Sequence, residues 1–476
     1  MVDLKKLITL EIGKVEGQIL GDFPLAKISK ELSFRPPGFQ FTKPFQKGHW
    51  DGRIRMLKKN AMFPAGLAPR LQKCLTSLGY ALTIRYTYPL PPTYQKENIQ
   101  IIMKDGTKAR GYQANAVIAA INKRRGIIKL PTAAGKTIIA GLIVRNLMKP
   151  TIFLTHRKEI LHQTYDRFLG EFGRNNVSRL GDGLKGRPRM ITVGMIPTLE
   201  KMKPKERFEL LNEFEILIAD EVHHAKSKSW GKVLNSCQAT WRIGLSATPA
   251  DGQAIMPLEA VTGPIIFERK AKDLAEQGFL TVPEIVISRV MEPAISDRYD
   301  YQQAARMGIV ENDRRNRRII LMAKVLIENK KGPVIVFSTV LDHIQEMENW
   351  AIKKKLKYIV LTGKDSSKIR KNAIEKMKTG EIQLLFVSTI FDEGVDIPNI
   401  GSAIMAFVGR SKTKLIQRIG RGMRVSKGKD KLIVIDFWDD TCKVLLNQSK
   451  ARKSIYKKEG YKMFIGSLKK YLAENS

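Results

Sequence analysis

Residues 126–144 read GIIKLPTAAGKTIIAGLIV, and this run constrains the fold more than any other part of the chain. A short apolar segment, Ile127 to Leu130, enters a tight turn from Pro131 to Gly135, and Lys136 and Thr137 then open an apolar helix. A short Ile-rich strand leading into such a helix fits a parallel sheet buried on both faces. The turn leaves backbone N–H groups and the helix N-terminus facing one point, where a phosphate chain is stabilised. Pro131, Thr132, Ala133, Ala134 and Gly135 are the candidate cradle. Lys136 would reach the β- and γ-phosphates of ATP, and the Thr137 hydroxyl would ligate Mg2+. Two positions depart from the full pattern GxxxxGK[ST]: Leu130 stands where the first glycine is expected, and Ala133 where another is common. The turn must close without them. A bare GKT can arise by chance; strand, PTxxGKT and helix in that order favour a phosphate site.

A second element lies at Ile216–His223, ILIADEVH. An apolar strand ends in two acids. Asp220 would hold Mg2+, usually through water, and Glu221 would orient and deprotonate an attacking water. A lone Asp-Glu pair is as often a plain helix cap; a phosphate loop upstream tips the balance. The third element is Gln417–Arg424, QRIGRGMR. Arg421 and Arg424 are three apart, so on a helix they would share a face. Two guanidinium groups there could meet the charge that develops on a transferring phosphoryl group. Alone they read as a phosphate contact or a solvated basic face; with the other elements they read as arginine fingers.

Around these elements the chain shows two series of short apolar runs separated by helical stretches. The first is GIIKL, TIFLT, RMITVGM, FEILIAD and WRIGLSAT; the second is PVIVFSTV, KYIVLTG, QLLFVST, SAIMAF and KLIVIDF. Each reads as a buried strand, so two α/β domains stand in tandem, at 101–282 and 283–440. Residues 1–100 read as a separate small basic α+β domain. From Leu32 to Lys96 there are eleven Lys or Arg and one acid, Asp51, with aromatic residues interleaved. Phe39 and Phe41, and Arg53 and Arg55, sit at strand spacing, with Asp51-Gly52 as a turn before the second pair. The stretch Tyr88-Pro89-Leu90-Pro91-Pro92 reads as a linker, and 441–476 as a basic helical tail.

The whole chain carries 83 Lys plus Arg against 46 Asp plus Glu, a formal charge of +37, which calls for a polyanionic partner. Three distant cysteines and no CxxC pair exclude a disulfide framework and a structural zinc site, and fit a reducing cytoplasm. No apolar run reaches the ~18 residues of a membrane span. No repeat of fixed period is present.

Taken in order, the motifs resemble those of superfamily two helicases and translocases, from about Arg110 to Arg424. Arg110-Gly111-Tyr112-Gln113 resembles the adenine-reading Q-motif, with Gln113 on the base edge. LPTAAGKT and DEVH are similar to motifs I and II. Thr155-His156-Arg157 resembles motif Ia, and Gly194 with Thr198 a further strand end that touches nucleic acid. Ser246-Ala247-Thr248 resembles motif III, which with His223 would couple nucleotide state to nucleic-acid grip. Ser338 resembles motif IV. Thr389 with Gly394 and Asp396 resembles motif V, and Gln417 with Arg421 and Arg424 motif VI. The resemblance implies two RecA-like domains with ATP and Mg2+ in the cleft between them, and closure and reopening that shift the domains along a bound strand. The stretch GFQFTKPFQKGHWDGRIRML, ending at Leu57, is similar to the N-terminal domain of phage UvsW-like recombination helicases, which unwind and branch-migrate forked DNA. It points to DNA contacts at Trp50, Arg53 and Arg55; the alternative for Trp50 is a core residue.

The expectation is therefore an ATP-dependent DNA helicase acting on forks and junctions in recombination, repair or replication, in the cytoplasm, and in the host's if phage-encoded. DEVH rather than DEAD leans away from RNA. The alternatives are a double-stranded DNA translocase without strand separation, an RNA helicase, or a nucleic-acid-binding protein with a vestigial nucleotide site.

Overall fold

The computed structural model describes residues 7–250, 252–388, 400–425, 429 and 431–475. The chain divides into two compact units, residues 1–130 with 135–268, and residues 131–134 with 269–476.

Alternation builds the start of the first unit. In the strand Leu7–Ile12, Ile8, Leu10 and Ile12 turn inward while Leu7, Thr9 and Glu11 face out. This strand pairs antiparallel with Glu16–Leu20 and parallel with Ala81–Tyr86, and Met62–Pro64 completes a four-stranded sheet. The helix Ala68–Ser77 contributes Leu71 and Leu75 to the core. That core also takes in Met256 and Ala260 from the helix Met256–Val261. At Gly66 a Cβ would lie 1.9 Å from the Glu259 carbonyl oxygen, so only glycine permits the approach, and Arg70 pairs with the Glu259 carboxylate at 2.7 Å. The small N-terminal α+β domain thus has its own sheet, and its core extends onto the helix Met256–Val261 of the α/β layer that follows. The proline-rich stretch is ordered as well. Arg124 donates to the Pro91 carbonyl at 3.0 Å, and Asn122 exchanges two bonds with the Tyr94 backbone.

Phe39–Phe41 is a 3-10 turn rather than a strand. Gly38 takes φ +77° and starts it, and Pro36, Pro37 and Pro44 cannot donate to a ladder, so turn chemistry overrides the period-two spacing. Only Ile54–Arg55 forms the expected second strand, paired with Ser33–Phe34.

The main sheet of this unit has eight strands in the order Leu184–Lys185, Val177–Gly181, Ile191–Met195, Thr151–Thr155, Ile216–Asp220, Trp241–Ser246, Arg125–Lys129, Ile265–Glu268. All neighbours are parallel except the first pair, a hairpin. Thr151–Thr155, Ile191–Met195 and Trp241–Ser246 are buried at every position, as strands covered by helices on both faces must be.

Among the described residues the second unit holds seven strands, all parallel, in the order Tyr358–Leu361, Leu384–Val387, Val334–Ser338, Ser402–Phe407, Lys431–Asp439, Val282–Val290, Lys462–Ile465. The last strand corrects the expectation of a helical tail. Lys462–Ile465 forms the sheet edge beside Val282–Val290, and the helix Lys443–Lys458 buries Arg452 and Tyr456 on Asp436 at 2.8 Å and 2.6 Å. A carboxylate this deep needs such partners, and they lie in the segment that lysine-rich composition alone labels as an appendage.

Candidate nucleotide and nucleic-acid site

The phosphate turn follows the strand Arg125–Lys129, and Leu130, fully buried, donates its N–H to the Ser246 carbonyl at 3.1 Å. Ala133 sits at φ +68° and Gly135 at φ +78°. The missing glycine is thus replaced by an alanine held in the left-handed region, a conformation that costs an L-residue about 1–2 kcal/mol. Gly135 then caps the helix Lys136–Leu147, whose first turn has no side-chain cap. Its leading N–H groups, with the helix dipole behind them, suit an anion.

Gln113 connects the Q-motif to this turn. The residue is 2% exposed, its Oε1 accepts the Arg110 N–H at 2.9 Å, and a Cβ on Gly135 would lie 2.4 Å from its Nε2. Gln113 therefore packs on the glycine that the loop cannot replace. Arg110 Nη1 lies 3.4 Å from the Tyr112 hydroxyl, and Tyr112 is buried.

Asp220 ends the central strand Ile216–Asp220, and Glu221 follows at φ +52°, a second strained residue in the site. Burial raises the Asp220 carboxyl, and the adjacent Glu221 charge raises it further, while Lys136 opposes both. Burial also acts to raise Glu221, but the nearby His223 ring and the charges of Lys136 and Arg157 outweigh it and hold Glu221 low. Lys136 therefore reaches both acids electrostatically. His223 Nδ1 lies 3.1 Å from Glu221 Oε2 and 3.2 Å from Ser246 Oγ, and Ser246 Oγ accepts the Thr248 N–H at 3.2 Å.

The donor set fits ATP with Mg2+. The helix start is uncapped, and a lysine and two acids interact electrostatically beside it. Thr137 and Asp220 would hold the cation, and Lys136 with the turn the phosphates.

Sequence reasoning missed a row of rings behind Glu221. His156 and His224 have centroids 4.0 Å apart, His224 and His223 4.3 Å, and Trp230 stacks on His224 at 5.9 Å. Arg157 Nε donates to His156 Nε2 at 3.0 Å. The row joins the Thr155–Arg157 strand end to the acids. Its only sequence signal is the doubled histidine after DEV, and which ring meets which depends on strand order.

The other expected nucleic-acid contacts are placed unevenly. Thr155, Gly194 and Ser338 are buried. Thr155 Oγ1 receives the Arg157 N–H, Ser338 Oγ meets His343 Nδ1 at 3.1 Å, and Gly194 sits between Ile152 and Leu154 inside its strand. Thr198 is half-buried in the helix Ile196–Glu200. Trp50 is half-buried and donates to the Arg53 carbonyl at 2.8 Å. Arg53 donates to Ser33 Oγ at 3.2 Å, and Arg55 pairs with Asp51 at 2.5 Å. In the second unit Gln417 is buried and Arg421 half-buried on the helix Lys412–Gly422. The helix ends at Gly422, so Arg424, exposed, lies beyond it, and the two arginines do not share a helical face as their spacing suggested. Thr389, Gly394 and Asp396 lie outside the described residues.

No helix among the described residues is long and apolar enough to cross a membrane, and no group of three or more metal-ligating side chains occurs among them.

Comparison with known proteins agrees with this architecture. Residues 93–251 match the family described as type III restriction enzyme, res subunit, residues 317–426 the helicase conserved C-terminal domain, and residues 21–85 the N-terminal domain of the DNA helicase UvsW. The chain is 28% identical over 376 residues to the DNA 3'-5' translocase XPB2 of Sulfurisphaera tokodaii, covering 70% of this chain and 82% of the relative. It is 25% identical over 448 residues to the ATP-dependent DNA helicase uvsW of Enterobacteria phage T4, covering 86% and 85%. Its fold is similar to a fragment of a type I restriction enzyme HsdR subunit from Vibrio vulnificus YJ016, with TM-score 0.57 and 20% identity over 75% of this chain and 68% of that one. With the ordered motifs, two parallel α/β sheets and these matches together, the chain belongs to the superfamily two ATP-dependent helicases, with an N-terminal domain of the UvsW type.

Proposed function

We propose that this helicase works on DNA and that it unwinds and branch-migrates forks and junctions. The observation that carries the reading is the basic N-terminal surface. Asp51 is the one acid between Leu32 and Lys96, and Arg55 engages it; Lys58, Arg70 and Arg85 pair with Glu16, Glu259 and Glu11 outside the segment, which leaves the exposed Arg35, Lys43, Lys47, Lys59 and Lys73 to call for phosphates. The T4 relative, named an ATP-dependent DNA helicase, aligns over 86% of this chain, and residues 21–85 match the N-terminal domain of the DNA helicase UvsW.

In this reading Lys136 and the turn bind the phosphates of ATP, and Thr137 and Asp220 hold Mg2+. The nucleotide supplies an electrophilic γ-phosphorus with ADP as leaving group. Glu221 takes the proton of the attacking water, and His223 orients Glu221 while reporting its state to Ser246 and Thr248. Arg421 and Arg424 serve as the charge-stabilising arginines. Arg157, whose charge reaches Glu221 and whose Nε holds His156, links the nucleic-acid strand end to the acids.

A second reading, movement along duplex DNA without strand separation, is favoured by the match to the restriction-enzyme res subunit and by a relative named a translocase. Synthetic forks and four-way junctions, assayed on gels with ATP and with a non-hydrolysable analogue, separate the two. Strand products formed only with ATP support the proposal. ATP turnover stimulated by duplex DNA with no strand products supports translocation instead.

A further inference from the structure

We propose that Phe41 is a stacking wedge for unpaired bases at a DNA branch point, an inference that rests on the DNA reading above. Phe41 is 76% exposed, more than any other exposed large apolar side chain among the described residues; Ile352 and Ile465 follow at 62%. Single exposed apolar residues are common and need no explanation. What sets this one apart is how it is held and what surrounds it.

The ring stands on a stiff platform. The Phe41 N–H donates to the Gly38 carbonyl at 3.0 Å, and Thr42 returns both its N–H and its hydroxyl to the Phe39 carbonyl at 3.1 Å and 2.7 Å. In the same turn Phe39 meets Phe45 edge to face at 4.8 Å, and the Arg35 guanidinium lies over the Phe39 ring at 4.9 Å. Gly52 presses its backbone against Phe39, where a Cβ would come within 2.4 Å of the ring. Pro36, Pro37 and Pro44 restrict the backbone on both sides. Phe39 and Phe45 are thus spent on the platform, and Phe41 is the ring presented outward.

The surroundings select the ligand. Arg35, Lys43, Lys47 and His49 are exposed on the same short segment. A lone ring amid cations has too little apolar area for a protein core or a lipid bilayer. It matches a polyanion that also offers flat aromatic faces. In intact duplex those faces are already stacked on each other. At a branch point the terminal pair lacks a neighbour, so an inserted phenyl ring finds a bare face there and stabilises the open form. The wedge therefore discriminates branched DNA from duplex, while the cations bind both.

The experiment compares the full chain with Phe41→Ala and Phe41→Trp on a three-way junction and on a duplex of equal length. A junction carrying 2-aminopurine beside the branch point serves as a second substrate. Phe41→Ala is expected to weaken junction affinity roughly tenfold, as removal of one base stack does, and to leave duplex affinity and its salt dependence unchanged. Parent and Phe41→Trp are expected to brighten the 2-aminopurine on binding, and Phe41→Ala to leave it dark. A parent-like junction affinity and fluorescence in Phe41→Ala, with parent turnover still stimulated by DNA, overturns the wedge alone. Equal weakening on duplex and junction also overturns it, since it marks a general contact. A parent that binds no DNA and whose turnover no DNA stimulates overturns the DNA reading, and the wedge with it.

Discussion

His223 Nδ1 lies 3.1 Å from the Glu221 carboxylate and 3.2 Å from Ser246 Oγ, so one imidazole touches both the proposed base and the segment after the neighbouring strand. Removing it separates two functions that the other site residues combine. His223→Ala is expected to keep nucleotide and DNA binding and to lose roughly tenfold in DNA-stimulated turnover, a value below the full contribution of a general base. Single-turnover ATP hydrolysis with and without DNA measures this; an unchanged stimulation ratio would remove His223 from the coupling.

Lys136→Ala and Glu221→Gln are expected to abolish turnover while leaving DNA binding largely intact. Loss of a positioned base costs roughly 100- to 10,000-fold. Near-full turnover in Glu221→Gln would show that another group takes the proton.

Acidification should destabilise the fold through its buried histidines. Burial and the nearby Arg315 charge hold His343 well below the usual value of 6.5. Burial and neighbouring cations hold His156 down to about 3, and burial and His223 hold His224 down to about 4. These groups are neutral when folded, so below pH 6.5 the unfolded chain takes up protons that the folded chain refuses, and stability falls as pH falls. His343, fully buried, contributes up to about 1.4 kcal/mol per pH unit; the partly exposed His156 and His224 contribute less. Urea unfolding at about pH 7 and about pH 5.5 reads the slope, and His224→Phe, which keeps a ring in the row, should make it shallower. A flat profile in the parent would contradict the neutral, buried placement.

Arg242 carries a structural load. It is 1% exposed and donates to the carbonyls of Val261, Cys237 and Leu234 at 2.8, 2.5 and 2.9 Å, near the ends of two helices. Arg242→Met strands three buried acceptors and should cost on the order of 3 kcal/mol or more. The denaturant midpoint of the first unit is the measurement, and a shift too small to resolve would show that water replaces the guanidinium.

Charge reversal at Arg53 and Arg55 should flatten the salt dependence of junction binding by about 0.9 in log–log slope for each phosphate left unneutralised. Because Arg55 is already paired with Asp51, Arg53→Glu alone is expected to produce the larger part. An unchanged slope in the double variant would take this patch off the DNA surface.

Much of the architecture was legible from local pattern. All ten apolar runs are strands of the two parallel sheets, because strands buried on both faces tolerate little but Ile, Val, Leu and their kind. Spacing misled where local chemistry or partners decide. Phe39 and Phe41 have strand period, yet the flanking prolines and Gly38 make a 3-10 turn. Arg421 and Arg424 have helical spacing, yet the helix stops between them. The lysine-rich end hides a sheet edge, because composition does not tell which carboxylate Arg452 will meet.

The amino-acid order alone determined the phosphate turn, the acidic strand end and the two-sheet plan, since each rests on residues close along the chain or on strands that must be buried. Only the tertiary structure decided that Gln113 packs on Gly135, that His156 and His224 line up behind Glu221, and that the N-terminal sheet shares a core with Met256 and Ala260. Those relations join segments tens of residues or more apart, and their energy depends on strand order and close packing, which no local period encodes.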